Sequence, residues 1–300
     1  MNALPDRAQG ALLGLACGDA VGAAVEFYPR HRFTPLNDMR GGGVFRLQRG
    51  QWTDDTSMAL CLAESLLFCR GFDAADQMTR YCRWAQEGHH SSKNKAFGIG
   101  KQTLAALLAF KQSGKPDAGS RDSRHSGNGS LMRLAPVVLF YHDHPDLADY
   151  AERSSRTTHA SPECVHACRY FACVLQRALH GCNKVQLFDF EYTDTLPDDL
   201  AAVVRGSFRT KTADDIKASG YVVESLEAAL WAFWHSHDFR SAVLAAANLG
   251  DDADTAAAIC GQLAGAFYGM HNIPASWLND LYRRDDIARF AVQLINRHTA

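Results

Sequence analysis

The sequence lacks any strong charge imbalance. Basic residues are spread along the chain and the formal net charge is only −2. That argues against nucleic acid or an anionic membrane surface as the main partner. A regular cysteine spacing is missing too. The nine cysteines are an odd number without a framework pattern, which argues against a disulfide scaffold and for a reducing compartment. No apolar run is long enough to span a bilayer. The first, Ala11 to Val25, follows Arg7 but is interrupted by Asp19 and several glycines, and it has no secretory pattern. The cytoplasm is the expected location. Alternating strand patterns, sequence repeats and composition breaks are also absent. The expectation is therefore an all-α protein, with residues 1–300 forming one compact helical domain; a monomer is the default expectation.

What the chain does carry is ordinary globular composition, 47% hydrophobic and 21% charged, and two acidic stretches of the same kind. Gly250-Asp251-Asp252-Ala253-Asp254-Thr255 runs into a small-residue segment, Ala256 to Gly269, that reads as a helix. Gln51-Trp52-Thr53-Asp54-Asp55-Thr56 likewise leads the helix-forming run Ser57 to Leu67. The plain reading is an Asp-rich N-cap, since helix N-termini favour negative charge. The sharper one is a metal site, because packed carboxylates repel unless a cation holds them. Both stretches offer only Thr and Asp oxygens, which suits Mg²⁺, Mn²⁺ or Ca²⁺ better than Zn²⁺. Asp54, Asp55, Asp252 and Asp254 carry charge enough for two divalent ions.

Elsewhere, Gly10, Gly14, Gly18 and Gly22 form a stripe at four-residue spacing along a helix predicted over 7–27. Each glycine costs roughly 1 kcal/mol relative to Ala in a helix, so the stripe calls for close packing. The matching stripe Gly261, Gly265 and Gly269 is the natural partner. Asp19, on this smooth face, is either hydrogen-bonded structure or part of a site. Pro29 to Gly50 reads as a long loop and His89-His90 as surface residues. Cys164 and Cys168 share a helical face that His166 does not, which disfavours a soft-metal site. Gly127-Asn128-Gly129-Ser130 reads as a turn opening a helix, with backbone N–H groups suited to a phosphate and Gly129 suited to a positive φ. Ser161-Pro162-Glu163 reads as a helix start, and the tail after Pro274 as short surface helices.

In order along the chain stand Gly18-Asp19-Ala20-Val21-Gly22 with Glu26-Phe27, Trp52-Thr53-Asp54-Asp55-Thr56 and Gly127-Asn128-Gly129-Ser130-Leu131-Met132-Arg133. Thr158-His159-Ala160, Gly220-Tyr221-Val222-Val223 and Gly250-Asp251-Asp252-Ala253-Asp254-Thr255 follow. With these motifs the sequence resembles the ADP-ribosylglycohydrolases, typified by dinitrogenase reductase-activating glycohydrolase. The resemblance implies an all-helical fold and two Mg²⁺ or Mn²⁺ ions held by Thr53, Asp54, Asp55, Asp252, Asp254 and Thr255. It implies that Gly127, Asn128, Gly129, Ser130 and Met132 cradle the diphosphate and ribose, with His159 and Tyr221 near the adenosine.

The implied reaction removes ADP-ribose from an ADP-ribosylated protein side chain, with N-linked arginine leading and ADP-ribose as product. Breaking the glycosidic bond builds oxocarbenium character at C1″ of the distal ribose, which cations and a carboxylate base serve. Asp54, Asp55 and Asp252 are the expected catalytic carboxylates. Arginine-specific members typically carry Asp where this chain has Gly98; Glu26 or Asp19 would then stand in for that acid. Alternatives are another ADP-ribosyl linkage (serine-linked or O-acetyl-ADP-ribose) and an ADP-ribose-binding or immunity module acting by occlusion.

Overall fold

A computed structural model describes residues 3–296. Among these, thirteen α-helices account for the architecture: α1 (Leu4–Gly22), α2 (Asp54–Phe68), α3 (Ala74–Glu87), α4 (Lys101–Ser113), α5 (Ala135–Phe140), α6 (Leu147–Arg156), α7 (Pro162–Leu179), α8 (Asp198–Val204), α9 (Val222–Trp234), α10 (Phe239–Ala247), α11 (Ala253–Tyr268), α12 (Ala275–Asp280) and α13 (Arg284–Ile295). Extended pairing among the described residues is limited to isolated bridges, such as Gly127 with Tyr221. The chain is all-α, as its patterning leads one to expect.

Two central helices, α1 and α11, carry the glycine stripes and lie against each other. A Cβ added at Gly10, Gly14, Gly18 or Gly22 would stand 2.2, 2.2, 2.1 and 2.4 Å from the carbonyl oxygens of Gly265, Gly261, Ala257 and Ala253 respectively. No side chain fits between these backbones, so the stripe is what lets them meet. The consequence reaches the site: the last turn of α1, which carries Asp19 and leads on to Glu26, is pinned to the start of α11. Gly14→Val is expected to cost about 3 kcal/mol or more by overpacking, read as a fall in melting temperature of roughly 6–12 °C. An unchanged melting temperature would show that the contact can relax.

Around this pair sit α2, α5, α7, α9, α10 and α13. The tail departs from expectation. Helix α13 buries Ile287, Ala291 and Leu294 against α1, α2 and α5, so it is a core helix with one wet face. Ser161 caps α7 through the Cys164 N–H, with Pro162 following, as its motif predicts. The segment after Gly127-Asn128-Gly129-Ser130 differs: it passes through turns, and α5 starts only at Ala135. Pro136 has no N–H for the Met132 carbonyl. Buried Gln262 supplies donors to the Leu131 and Met132 carbonyls at 3.3 and 2.8 Å and accepts from the Ala135 N–H at 2.8 Å. His89 and His90 also depart from expectation. They are half-buried, with ring nitrogens 2.7 and 3.3 Å from Glu64 Oε2.

Candidate metal centre and active-site cleft

The two acidic stretches meet at the floor of one cleft. The start of α2 supplies Asp54 and Asp55, the start of α11 supplies Asp254, and Asp252 stands just ahead of it. Neither Thr53 nor Asp252 makes a side-chain capping bond to its helix, so the plain N-cap reading does not account for them. Asp19, Asp55 and Asp254 each bring a carboxylate oxygen within 4.8 Å of the others, and Glu26, Asp252 and Asp254 do the same. The Thr53 hydroxyl faces Asp19, Asp55 and Asp254 oxygens at 2.9, 3.1 and 3.2 Å. One hydroxyl proton cannot serve three acceptors. Asp55 Oδ1 and Glu26 Oε2 are buried with no hydrogen-bond partner.

Electrostatically this is an unbalanced site. Burial, reinforced by the neighbouring acids, pushes Asp54, Asp55 and Asp254 well above the usual carboxylate range and Glu26 up to about 12. Burial also raises Asp252. The oxygen-only donor set, the orphaned buried oxygens and the crowding fit hard divalent cations. Asp19 plays another part. Its Oδ1 accepts from the Thr53 N–H at 2.8 Å and its Oδ2 from the Thr56 N–H at 3.0 Å, with both threonine hydroxyls added. It clamps the turn that presents Thr53 to Asp55; like Thr53 and Asp55 it lies behind the cleft lining, whereas Glu26 lines the cleft.

The cleft holds about 700 Å³ and is lined by Glu26, Phe27, Asp54, Gly127, Asn128, Gly129, Met132, His159, Asp252, Asp254 and Thr255, among others. Asn128 faces Asp252: its Nδ2 donates to Asp252 Oδ2 at 2.7 Å and to Ser225 Oγ at 2.8 Å. Ser130 is buried, its hydroxyl paired with that of Ser155 at 2.8 Å, and does not line the cleft. Tyr221 is not among the lining residues either, and its hydroxyl donates to Asp199. Gly129 is not left-handed. Glycine is required there for space, since a Cβ would stand 2.8 Å from His159 Cε1.

His159 is fully buried, and burial lowers it to about 3, with the charge of Arg133 adding. It is neutral. Arg133 donates to Thr158 Oγ1 at 2.7 Å, and Thr158 Oγ1 lies 2.8 Å from His159 Nδ1. With Arg133 on one lone pair, the threonine hydroxyl is free to give its proton to Nδ1, the tautomer that places Nε2–H beside Gly127 and Gly129.

A family model for ADP-ribosylglycohydrolase matches residues 1–300. The chain belongs to the ADP-ribosylglycohydrolase family. It is 44% identical over 294 residues to "ADP-ribosylarginine hydrolase Tri1" of Pseudomonas putida (strain GB-1), covering 97% of this chain and 78% of that protein. It is 32% identical over 283 residues to "ADP-ribosyl-[dinitrogen reductase] glycohydrolase" of Rhodospirillum rubrum, covering 92% and 90%. A solved structure titled "ADP-ribosylglycohydrolase-related protein complex" superposes with a TM-score of 0.89 at 45% identity, covering 99% of both chains.

Gly98, where the resemblance leads one to expect Asp, stands against Asp54. Gly98 has φ +76, and a Cβ there would lie 2.4 Å from Asp54 Oδ1. An Asp at 98 does not fit with Asp54 where it stands. Sequence reasoning gave no role to Arg133, Gln262 or Phe27. A signal was available for Arg133, a lone charge within the apolar stretch from Leu131 to Val138. It is completely buried over the Tyr81 ring at 4.8 Å, and its Nη1 donates to the Gly129 carbonyl at 2.5 Å.

Proposed function

We propose that this chain is a metal-dependent hydrolase releasing ADP-ribose from ADP-ribosylated arginine on proteins, with two Mg²⁺ or Mn²⁺ ions as cofactors. The carrying observation is the cleft floor, where carboxylates from two distant segments converge with buried oxygens left unpartnered. The named relatives that act on ADP-ribosylarginine support the linkage. Thr53, Asp54, Asp55, Asp252, Asp254 and Thr255 are the proposed ligands. Bound ions would supply Lewis acidity and hold the vicinal hydroxyls of the distal ribose.

The remaining chemistry belongs to the chain. Hydrolysis breaks the C1″–N bond and forms a C1″–O bond from water; one water proton goes to a carboxylate, and the departing guanidine nitrogen takes a proton. Asp54 faces the cleft and is the proposed base. Glu26, lining the cleft with its Oε2 buried and unpartnered, is the proposed acid. Asp19 is not, because both its oxygens are committed to Thr53 and Thr56. Asn128 holds Asp252 in orientation. His159 offers Nε2–H to a substrate oxygen, and Gly129 leaves room for that approach.

The test incubates the purified protein with arginine-linked and serine-linked ADP-ribosylated proteins, in Mg²⁺ and in EDTA, and measures free ADP-ribose. Release from the arginine-linked substrate, lost in EDTA and restored by Mg²⁺ or Mn²⁺, is expected. Release from the serine-linked substrate alone, or indifference to EDTA, would overturn the reading. Gly129→Val is expected to weaken ADP-ribose binding by about tenfold or more, since a side chain there displaces His159. Calorimetry checks it, and an unchanged affinity would mean the turn is structural only.

A further inference from the structure

One residue at the cleft mouth is doubly out of place. Phe27 lines the cleft, is 62% exposed, and has φ +66, a left-handed backbone that is a genuine outlier for a bulky side chain. The strain is maintained by pairing: the Phe27 N–H donates to the Asp251 carbonyl at 2.7 Å and the Asp251 N–H to the Tyr28 carbonyl at 2.9 Å. Asp251 itself has φ +54. Phe27 thus stands directly beyond Glu26 and beside Asp251.

Phe27 is backed by other rings. Phe45 lies 6.3 Å away, edge-on, and Phe97 lies 5.1 Å beyond Phe45. Phe97 precedes Gly98, whose missing Cβ leaves Asp54 uncovered. The aromatic row therefore joins the residue after Glu26 to the residue before Gly98. Lys93 sits 5.1 Å from the Phe97 ring centre and donates to the Phe45 carbonyl. That face already has its cation, and Phe27 is the exposed ring of the row.

An exposed aromatic face beside Asp251, the cleft-lining acid that takes no part in the proposed metal centre or acid role, suits a planar cation. We propose that Phe27 is a specificity-determining residue on which the guanidinium of the modified arginine stacks as it leaves. The inference rests on the arginine reading above and adds to it the surface that distinguishes this leaving group from a neutral hydroxyl. Strain at Phe27 is then the cost of holding its ring at the mouth.

The experiment compares wild type with Phe27→Ala, Phe27→Gly and Phe27→Trp in Mg²⁺. It measures kcat/KM on ADP-ribosyl-arginine and the affinity for free ADP-ribose, which lacks the arginine. Phe27→Ala and Phe27→Gly are expected to lower kcat/KM about tenfold, with ADP-ribose affinity within about twofold of wild type and Phe27→Trp close to wild type. Gly relieves the left-handed backbone, so its loss of rate cannot be assigned to strain. An unchanged kcat/KM, an equal fall in ADP-ribose affinity, or a Trp variant as impaired as Ala would overturn the proposal. Failure of the arginine reading shows separately, as a wild-type protein that leaves ADP-ribosyl-arginine intact while binding ADP-ribose.

Discussion

Asp54→Ala and Asp252→Ala are each expected to lower ADP-ribose release by on the order of 10³-fold or more, with helix content unchanged. The two effects have different origins. Asp54 lines the cleft beside Gly98 with a carboxylate that burial and its neighbours keep far from its ordinary behaviour. Asp252 is oriented by Asn128 from a segment distant in sequence. Neither serves its helix as a side-chain cap, because Thr53 and not Asp54 occupies the cap of α2, and Asp252 makes no capping bond to α11. Removing either carboxylate therefore takes away repulsion, at the cost, for Asp252, of one hydrogen bond from Asn128, which keeps its bond to Ser225. Circular dichroism and turnover at saturating Mg²⁺ check both halves of the expectation. Near-normal turnover in either variant would sink the catalytic assignment.

The fold was legible in the sequence wherever the cause is local. Glycines four residues apart are costly in a helix unless another backbone comes close, and α1 against α11 supplies that backbone. Carboxylates crowded beside threonines carry the same kind of signal, because their repulsion needs an answer whatever the fold. Two of the failures share one feature, a partner that the local sequence does not announce. Nothing near Leu131 announces that Gln262 will take the carbonyls Pro136 cannot serve. The His89-His90 pair is polar in sequence, and only the fold brings Glu64 against it. The tail is a different case: Ile287, Ala291 and Leu294 already stand on one helical face.

The cleft follows the same division. Residue types that suit a hard cation were readable, and the structure brings Thr53, Asp54, Asp55, Asp252 and Asp254 together. The parts carried over from the resemblance fared unevenly. Asn128 faces a carboxylate, Ser130 is buried behind the cleft, and Tyr221 is engaged with Asp199. Asp19 and Glu26 show why residue type alone is not enough. Both are buried acids near the same floor, but one accepts from two backbone N–H groups and the Thr56 hydroxyl while the other has an unpartnered oxygen. Only the count of hydrogen bonds separates them.

Stripped of divalent cations, the protein is expected to lose stability as pH rises, and to regain it when Mg²⁺ or Mn²⁺ is added. The folded state raises the affinity of these acids for protons: burial lifts Asp19 to about 6, and Glu26, Asp54, Asp55, Asp252 and Asp254 also lie above their ordinary values. A raised acid binds more protons in the folded than in the unfolded chain, so stability falls with pH. The loss begins near the unfolded carboxylate values, at about pH 4, and continues through the folded ones. In EDTA the melting temperature should therefore be lower at pH 8 than at pH 5. Cations prefer the ionised carboxylates, so their benefit should grow over the same interval. A ligand at a hundred times its dissociation constant adds about 2.7 kcal/mol, or roughly 5–10 °C for a chain of this size. Asp252→Asn separates this account from a structural cap. Its amide oxygen can still accept from Asn128, but one repelling charge is gone. It should melt above wild type in EDTA at pH 8 and below it in saturating Mg²⁺. An equal fall in both conditions would make the cluster a structural feature of the helix starts, and the metal centre would fall with it.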